Sequence, residues 1–322
     1  MILHIGLPRT GTTTLQKFLF SDESLFAPSR NDRQEISRFH LLAGIGNALP
    51  DSAVDIEDAK LRLAQIKNSA GKNKTVLISQ ERITSLGNTL ALQNIYARRL
   101  KLIEENAKVI ITLRRQQSLI KSRFTQMKLR KHWAALGMYD PTRNISKKNK
   151  LKEGRKPLRA LYVPNFIEWA SMGLDNQFYC WFSILNYYDL YNSYAETLGP
   201  KNIKILFYED LIKNKKEFAD QLADFIGISA DRIETAINKK ANPSPTGLDL
   251  WRRIINNIKH PGEGINPGYA LKCILGLEKT PDENNKYLLD LVRTHYGRQN
   301  RKLAQLLGED LSARGYLMDS EQ

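Results

Sequence analysis

Apolar positions in this chain recur in two rhythms that take turns. Ile2 to Ile5 is a short apolar run that stops at Gly6, and Leu15, Phe18 and Leu19 then follow at helical spacing between Thr13 and Phe20. The opening therefore reads as strand, loop, helix. Ile56, Ala59, Leu63 and Ile66 mark a second helix over about 55–66, after which Thr75 to Ile78 forms a β-branched apolar run ending in Ser79-Gln80-Glu81. Another helix precedes a third strand at Val109 to Leu113, which passes through Arg114 into a helical run to about Leu129. A long aromatic helix from Asn176 to Leu198 leads into a fourth strand at Ile203 to Phe207, and Phe218, Leu222 and Phe225 share one face of a helix over Glu217 to Ile226. Strands that alternate with helices imply an α/β fold: a parallel β-sheet flanked by helices, with ligands gathered at the carboxyl ends of the strands.

Two stretches break the rhythm. Residues 139–165 are polar, basic and punctuated by Pro141, Gly154, Pro157 and Pro164, which predicts an extended loop. We expect a single domain over 1–322, with a basic lid or acceptor region at about 123–170 inserted in it. From Gly247 onward the pattern is mostly helical, interrupted by Pro261, Gly262, Gly264, Pro267 and Gly268. At 42% hydrophobic and 26% charged, the chain has the composition of a packed globular protein, so wholesale disorder is excluded. Two cysteines, Cys180 and Cys273, are too few for a disulfide framework, and no basic leader precedes the first strand. A reducing, cytoplasmic setting is expected.

Charge changes the picture more. The net charge of +15 favours anionic partners, and the window Lys121 to Arg159 holds 13 basic residues against Asp140 and Glu153, a net +11. Trp133, Tyr139, Tyr162, Phe166 and Trp169 interleave with this charge. An acidic glycan or a phosphorylated lipid is the kind of acceptor such a surface would draw; a solvated basic loop is the plain alternative.

The strongest local signal is His4-Ile5-Gly6-Leu7-Pro8-Arg9-Thr10-Gly11-Thr12-Thr13-Thr14, a strand end, a glycine turn and a helix start rich in hydroxyls. Such a turn aims backbone N–H groups at one anion. It nearly matches the nucleoside-triphosphate loop, with Gly6 and Gly11 in place, but Thr12 stands where that loop needs lysine and the cation has moved to Arg9. Triphosphate hydrolysis is thereby disfavoured, while phosphate or sulfate binding is supported.

Leu7 to Thr13 closely resembles the 5′-phosphosulfate loop of sulfotransferases that use 3′-phosphoadenosine-5′-phosphosulfate (PAPS). Their usual form has lysine where Arg9 stands, and arginine there is also found in tyrosylprotein sulfotransferases. The resemblance implies a P-loop-like sulfotransferase fold, with Pro8, Arg9, Thr10, Gly11, Thr12 and Thr13 around the 5′-phosphate and Arg9 acting in catalysis at the leaving oxygen. In the same family a strand ends in Arg with a Ser eight residues later, and Arg114 and Ser122 reproduce that spacing, which implies a 3′-phosphate clamp. The Asn-Pro that often follows the arginine is absent. Tyr208-Glu209-Asp210-Leu211 and Phe225-Ile226-Gly227 resemble a late family pattern, read here as organising the sheet end. Lys239 to Ser244, with Lys240 and Asn242, sits where bacterial members close a loop over the nucleotide, and Asn300 to Tyr316 resembles their carboxyl-terminal helix.

Sulfuryl transfer is an in-line displacement, so the acceptor must lose a proton while charge builds on the leaving phosphate. The resemblance implies a base at the end of the Thr75 to Ser79 strand, where family members carry a His or a carboxylate; of Gln80 and Glu81 there only Glu81 can take a proton, and it is the candidate base, with His132 and then His40 next. His4, His260 and His295 are read as structural or surface residues. No metal is implied. Two other classes remain at this stage: a P-loop-type small-molecule or nucleotide kinase, and a basic nucleic-acid-binding protein. Neither accounts for the spacing of Arg114 and Ser122.

Overall fold

A computed structural model describes residues 1–27, 43–46, 49–71, 74–84, 88–130, 166–175, 181–239 and 282–319. Five strands, β1 (Ile2–Gly6), β2 (Phe26–Ala27), β3 (Thr75–Ser79), β4 (Lys108–Leu113) and β5 (Ile203–Phe207), form one sheet in the order β2-β3-β1-β4-β5. All its pairings are parallel. Parallel strands need helical crossovers that cover both faces, which is why these strands are apolar at nearly every position rather than at every second one.

Alternation still sorts the side chains. Leu3, Ile5, Ile78, Val109, Ile111 and Phe207 point to one face, where they share a core with α2 (Ile56–Ala70), α3 (Leu90–Ile103), α6 (Tyr187–Leu198) and α10 (Asp282–Leu307). Ile2, Leu77, Ile110 and Leu206 point to the other, against the α1 turn (Thr12–Thr14), which widens into a π-helical turn at Leu15–Leu19, and against α8 (Lys215–Ile226) and α9 (Ala230–Ile237). The remaining helices are α4 (Gln116–Arg130), α5 (Phe166–Asp175) and α7 (Tyr208–Lys213). Two helix starts carry a side-chain cap that satisfies an orphan backbone N–H: Asp55 accepts from Asp58 N–H at 2.9 Å and Asn186 from Asp189 N–H at 3.2 Å.

Two expectations need correction. The helix expected from Asn176 to Leu198 is instead a 3-10 turn at Trp181–Leu185 followed by α6, and residues 176–180 lie outside those described. Asn186 caps a new helix start, and the preceding turn is held by long-range bonds, Trp181 Nε1–H to the Thr84 carbonyl at 3.1 Å and Leu90 N–H to Ser183 Oγ at 2.9 Å. The carboxyl-terminal helix ends at Leu307, not Tyr316, because Gly308 turns at φ 65° and Gly315 at φ 79°. The segment after it folds back on the sheet end, where Tyr316 is buried. Cys180, Cys273 and the 139–165 loop lie outside the described residues.

Candidate active site

Strand order places the site. β1 lies between β3 and β4, so the connections leaving the carboxyl ends of β3, β1 and β4 open side by side, the usual position for a ligand in a parallel α/β sheet. Those connections carry Glu81, the 7–13 loop and Arg114.

The loop is shaped less by Gly6 than expected. Gly6 is ordinary strand; what demands glycine is space, since a Cβ there would lie 1.9 Å from Thr12 Cγ2 and 2.5 Å from Thr112 Oγ1. The turn itself is made at Arg9, φ 74°, and Gly11, φ 80°, and Arg9 is the only non-glycine residue with positive φ among those described. A side chain in that region is strained, so neighbouring contacts must hold it. Pro8 and Thr10 are buried while Arg9 and Thr13 are exposed. The Thr10 hydroxyl donates to the Leu7 carbonyl at 2.6 Å, so Thr10 turns its side chain inward and can offer an anion only its backbone.

The two motifs meet at Arg9. Its Nε–H donates to Ser122 Oγ at 2.9 Å, and Arg114 Nη1 donates to the Arg9 carbonyl at 3.0 Å. The Arg114 guanidinium lies 4.6 Å over the Tyr208 ring, while the Tyr187 hydroxyl donates to the Arg114 carbonyl at 2.6 Å. Burial works against the charge of Arg114 and lowers its pKa, with Tyr208 and Glu209 opposing that shift. A desolvated guanidinium beside a hydroxyl and an exposed one is a ready partner for a dianion. The neighbouring Arg115 takes a different role: its N–H donates to Glu209 Oε1 at 3.1 Å and its Nε pairs with the same oxygen at 3.4 Å.

Glu81 opens a short 3-10 turn, Glu81–Thr84, and accepts a hydrogen bond from the Thr12 hydroxyl, so the base candidate touches the loop directly. Burial pushes its pKa up from the ordinary carboxylate value, while Arg123 and Arg9 pull it down. Its carboxyl group is thus held more basic than a surface carboxylate, as a proton acceptor should be. His132, His40, Lys240 and Asn242 lie outside the described residues.

The structure adds residues that sequence reasoning passed over. Tyr208, read as organising the sheet end, stacks under Arg114 and lies 3.4 Å from where a Gly11 Cβ would be. Its place directly after β5 was the available signal. Arg123, next to Ser122 on α4, is buried, reaches Glu81 electrostatically and lies 5.8 Å from the Trp181 ring. No cluster of His, Cys, Asp and Glu suited to a metal ion occurs among the described residues, and among them no helix is long and apolar enough to cross a membrane.

Fold and site together define a parallel α/β protein with arginines and hydroxyls gathered at its topological switch point. A family model described as the sulfotransferase domain matches residues 1–242. The chain belongs to the sulfotransferase family and is an enzyme of that class. Its fold is similar to that of a sulfotransferase from Alicyclobacillus acidocaldarius, with a TM-score of 0.50 at 14% identity over 97% of both chains. A sulfotransferase domain from the curacin biosynthetic pathway matches with a TM-score of 0.42 at 16% identity, covering 96% of this chain and 98% of that one. A mouse sulfotransferase complexed with PAP matches with a TM-score of 0.39 at 13% identity, covering 95% and 87%. No curated protein matches the sequence.

Proposed function

We propose that this sulfotransferase binds its donor across the Arg9, Ser122 and Arg114 cluster and uses Glu81 as the base that accepts the acceptor's proton. The reaction class follows from the family: a sulfuryl group passes from PAPS to a hydroxyl or amine of an acceptor, and the kinase and nucleic-acid-binding alternatives fall away with it. The donor set fits a nucleotide with phosphates at both ends, because the Arg9 guanidinium meets the Ser122 hydroxyl and the Arg114 guanidinium reaches the Arg9 carbonyl at a positive-φ turn. Bound there, PAPS supplies an activated sulfuryl group and a phosphate leaving group.

Arg114 and Ser122 are assigned to the 3′-phosphate, and Gly11, Thr12 and Thr13, with the backbone of Pro8 and Thr10, to the 5′ end. Arg9 is assigned to the charge that develops on the leaving oxygen, a role its exposed guanidinium can fill without breaking an ion pair among the described residues. Glu81, made more basic by burial, takes the proton, with Arg123 setting how basic it is. Lys240 and Asn242 would close over the nucleotide, and His132 is the next base candidate. We further read 1–322 as one domain whose 123–170 region receives an anionic glycan or lipid acceptor, and place the enzyme in the cytoplasm on its two cysteines.

The observation that carries this reading is the pair of bonds joining Arg9 to Ser122 and Arg114 to Arg9, which brings motifs more than a hundred residues apart into one cluster. Calorimetric titration tests it. Adenosine 3′,5′-bisphosphate should bind at least about tenfold more tightly than AMP, the range of one charge-assisted hydrogen bond or more. Equal affinities would remove Arg114 and Ser122 from the site.

A further inference from the structure

The face of the sheet under the loop changes character along the strands. At the amino ends it carries Ile2, Leu77 and Ile110; two residues further on, the same face carries His4, Ser79 and Thr112. Register sets His4 beside Ser79 on β3 and Thr112 beside Gly6 on β4, so Thr112 lies one step beyond His4 on the same face, within reach of its ring. His4, Thr10 and Thr112 are completely buried, and Phe20 covers the imidazole edge-on at 5.1 Å.

These groups form one line of hydrogen bonds. Gln16 Nε2 lies 2.9 Å from Ser79 Oγ, Ser79 Oγ 2.7 Å from His4 Nδ1, and His4 Nε2 3.3 Å from Thr112 Oγ1. Thr112 Oγ1 lies 3.0 Å from Thr10 Oγ1, which is 2.6 Å from the Leu7 carbonyl. The carbonyl end sets the directions along the line. A carbonyl only accepts, so the single hydroxyl hydrogen of Thr10 goes to Leu7 and its oxygen accepts from Thr112. The Thr112 hydrogen is then committed, and its oxygen must accept from an N–H on His4 Nε2. With the hydrogen on Nε2, the neutral ring leaves Nδ1 bare, so Ser79, which accepts from the Gln16 amide, gives its own hydrogen to Nδ1. Each hydrogen is used once and each link has a donor and an acceptor.

We propose that His4, fixed as the neutral Nε2–H tautomer, is a positioning residue that locks the anion-binding loop through this one-way chain from Gln16 to the Leu7 carbonyl. The chain ends where support is needed: Leu7 and Thr10 bracket Arg9, whose φ of 74° places it in the region that L residues avoid. A buried line in which every member is satisfied has one low-energy arrangement, so it fixes the turn. Burial also holds the His4 pKa down at about 3, in keeping with a neutral ring. The consequence for donor binding rests on the assignment of the 7–13 loop made above; the tautomer does not.

Long-range proton–nitrogen correlation spectra of histidine-labelled protein test the chain directly. The ring signal that disappears in His4→Gln should report hydrogen on Nε2 and a bare Nδ1 at neutral pH, and a hydrogen on Nδ1 overturns the proposal. Thr112→Val, which keeps shape but removes the hydroxyl, should weaken adenosine 3′,5′-bisphosphate binding by about tenfold, the effect of one lost buried hydrogen bond, and Thr112→Ser should restore it. Thr10→Val should reproduce the loss and serves if Thr112→Val does not fold. Wild-type affinity in Thr10→Val or Thr112→Val, alongside weakened binding in Arg114→Ala, sinks the positioning role and spares the site. Unchanged affinity in Arg114→Ala as well sinks the site assignment, while the tautomer result still decides the chain.

Discussion

The loop after β1 and the turn after β4 bring two arginines together but are held by opposite means. Arg9 rides on a strained turn fixed from below by an imidazole and hydroxyls, none of them charged. Arg114 and Arg115 are held by the Tyr208 ring, the Glu209 carboxylate, the Tyr187 hydroxyl and the carboxyl-terminal segment, through Tyr316 to Glu209 at 3.3 Å and Gln117 to the Gly315 carbonyl at 2.8 Å. On both sides the cleft-facing arginine forms no ion pair among the described residues, whereas Arg115 absorbs the nearby carboxylate. The scaffold is satisfied by other groups, so the cationic charge that an anion needs is left available. Neutral bonds depend on geometry and little on salt, while a partly exposed ion pair is screened.

The largest effect expected on the loop side is at its contact with β3. Glu81→Gln keeps shape but cannot take a proton, so turnover should fall roughly 10²- to 10⁴-fold with bisphosphate affinity retained. Burial raises the Glu81 pKa, which means the folded state holds that proton more tightly than the unfolded chain. Its contribution to stability is therefore greatest at low pH and declines as pH rises from the unfolded value through the raised folded one. Glu81→Gln should then melt higher than wild type at neutral pH, and wild-type activity should rise with pH through the same raised pKa. Near wild-type turnover in Glu81→Gln shows that the base is elsewhere.

A smaller effect separates the two arginines of the β4 turn. Arg114→Ala should lose about 1.5–3 kcal/mol of affinity for adenosine 3′,5′-bisphosphate and little for AMP, since its partner is the 3′-phosphate. Arg115→Ala should leave both affinities near wild type and lower the melting temperature instead. Equal affinity losses would erase the distinction drawn between them.

The smallest effect is at the edge of the charged side. Tyr316→Phe removes one long hydrogen bond to Glu209 and should reduce stability by about 0.5–1.5 kcal/mol in denaturant unfolding, with bisphosphate affinity unchanged. A loss of affinity instead would make the carboxyl-terminal segment part of the donor site.

Much of this was legible beforehand. The alternation of apolar runs located β1, β3, β4 and β5, because periodicity acts within a few residues, and the family resemblance named Arg9, Arg114 and Ser122, which the fold brings into contact. The break before α6 was missed: the aromatic pattern runs on past the Asn186 cap, and the turn before it is held by the long-range bonds of Trp181 and Ser183. So was the reason for Gly6, which looked like a turn residue and proved to be a site of close approach to Thr12 and Thr112.

The amino-acid pattern alone was enough for a parallel α/β protein with a hydroxyl-rich glycine loop, an arginine at position 9 and an arginine eight residues before a serine. Those are properties of local pattern, and local pattern survives without the fold. The fold was needed to show that Arg9 joins Ser122 and Arg114, that Arg114 reaches Arg9 while Arg115 pairs with Glu209, and that His4 lies under the loop. Each depends on β1 lying between β3 and β4 in a particular register, and such register is set by packing over the whole chain.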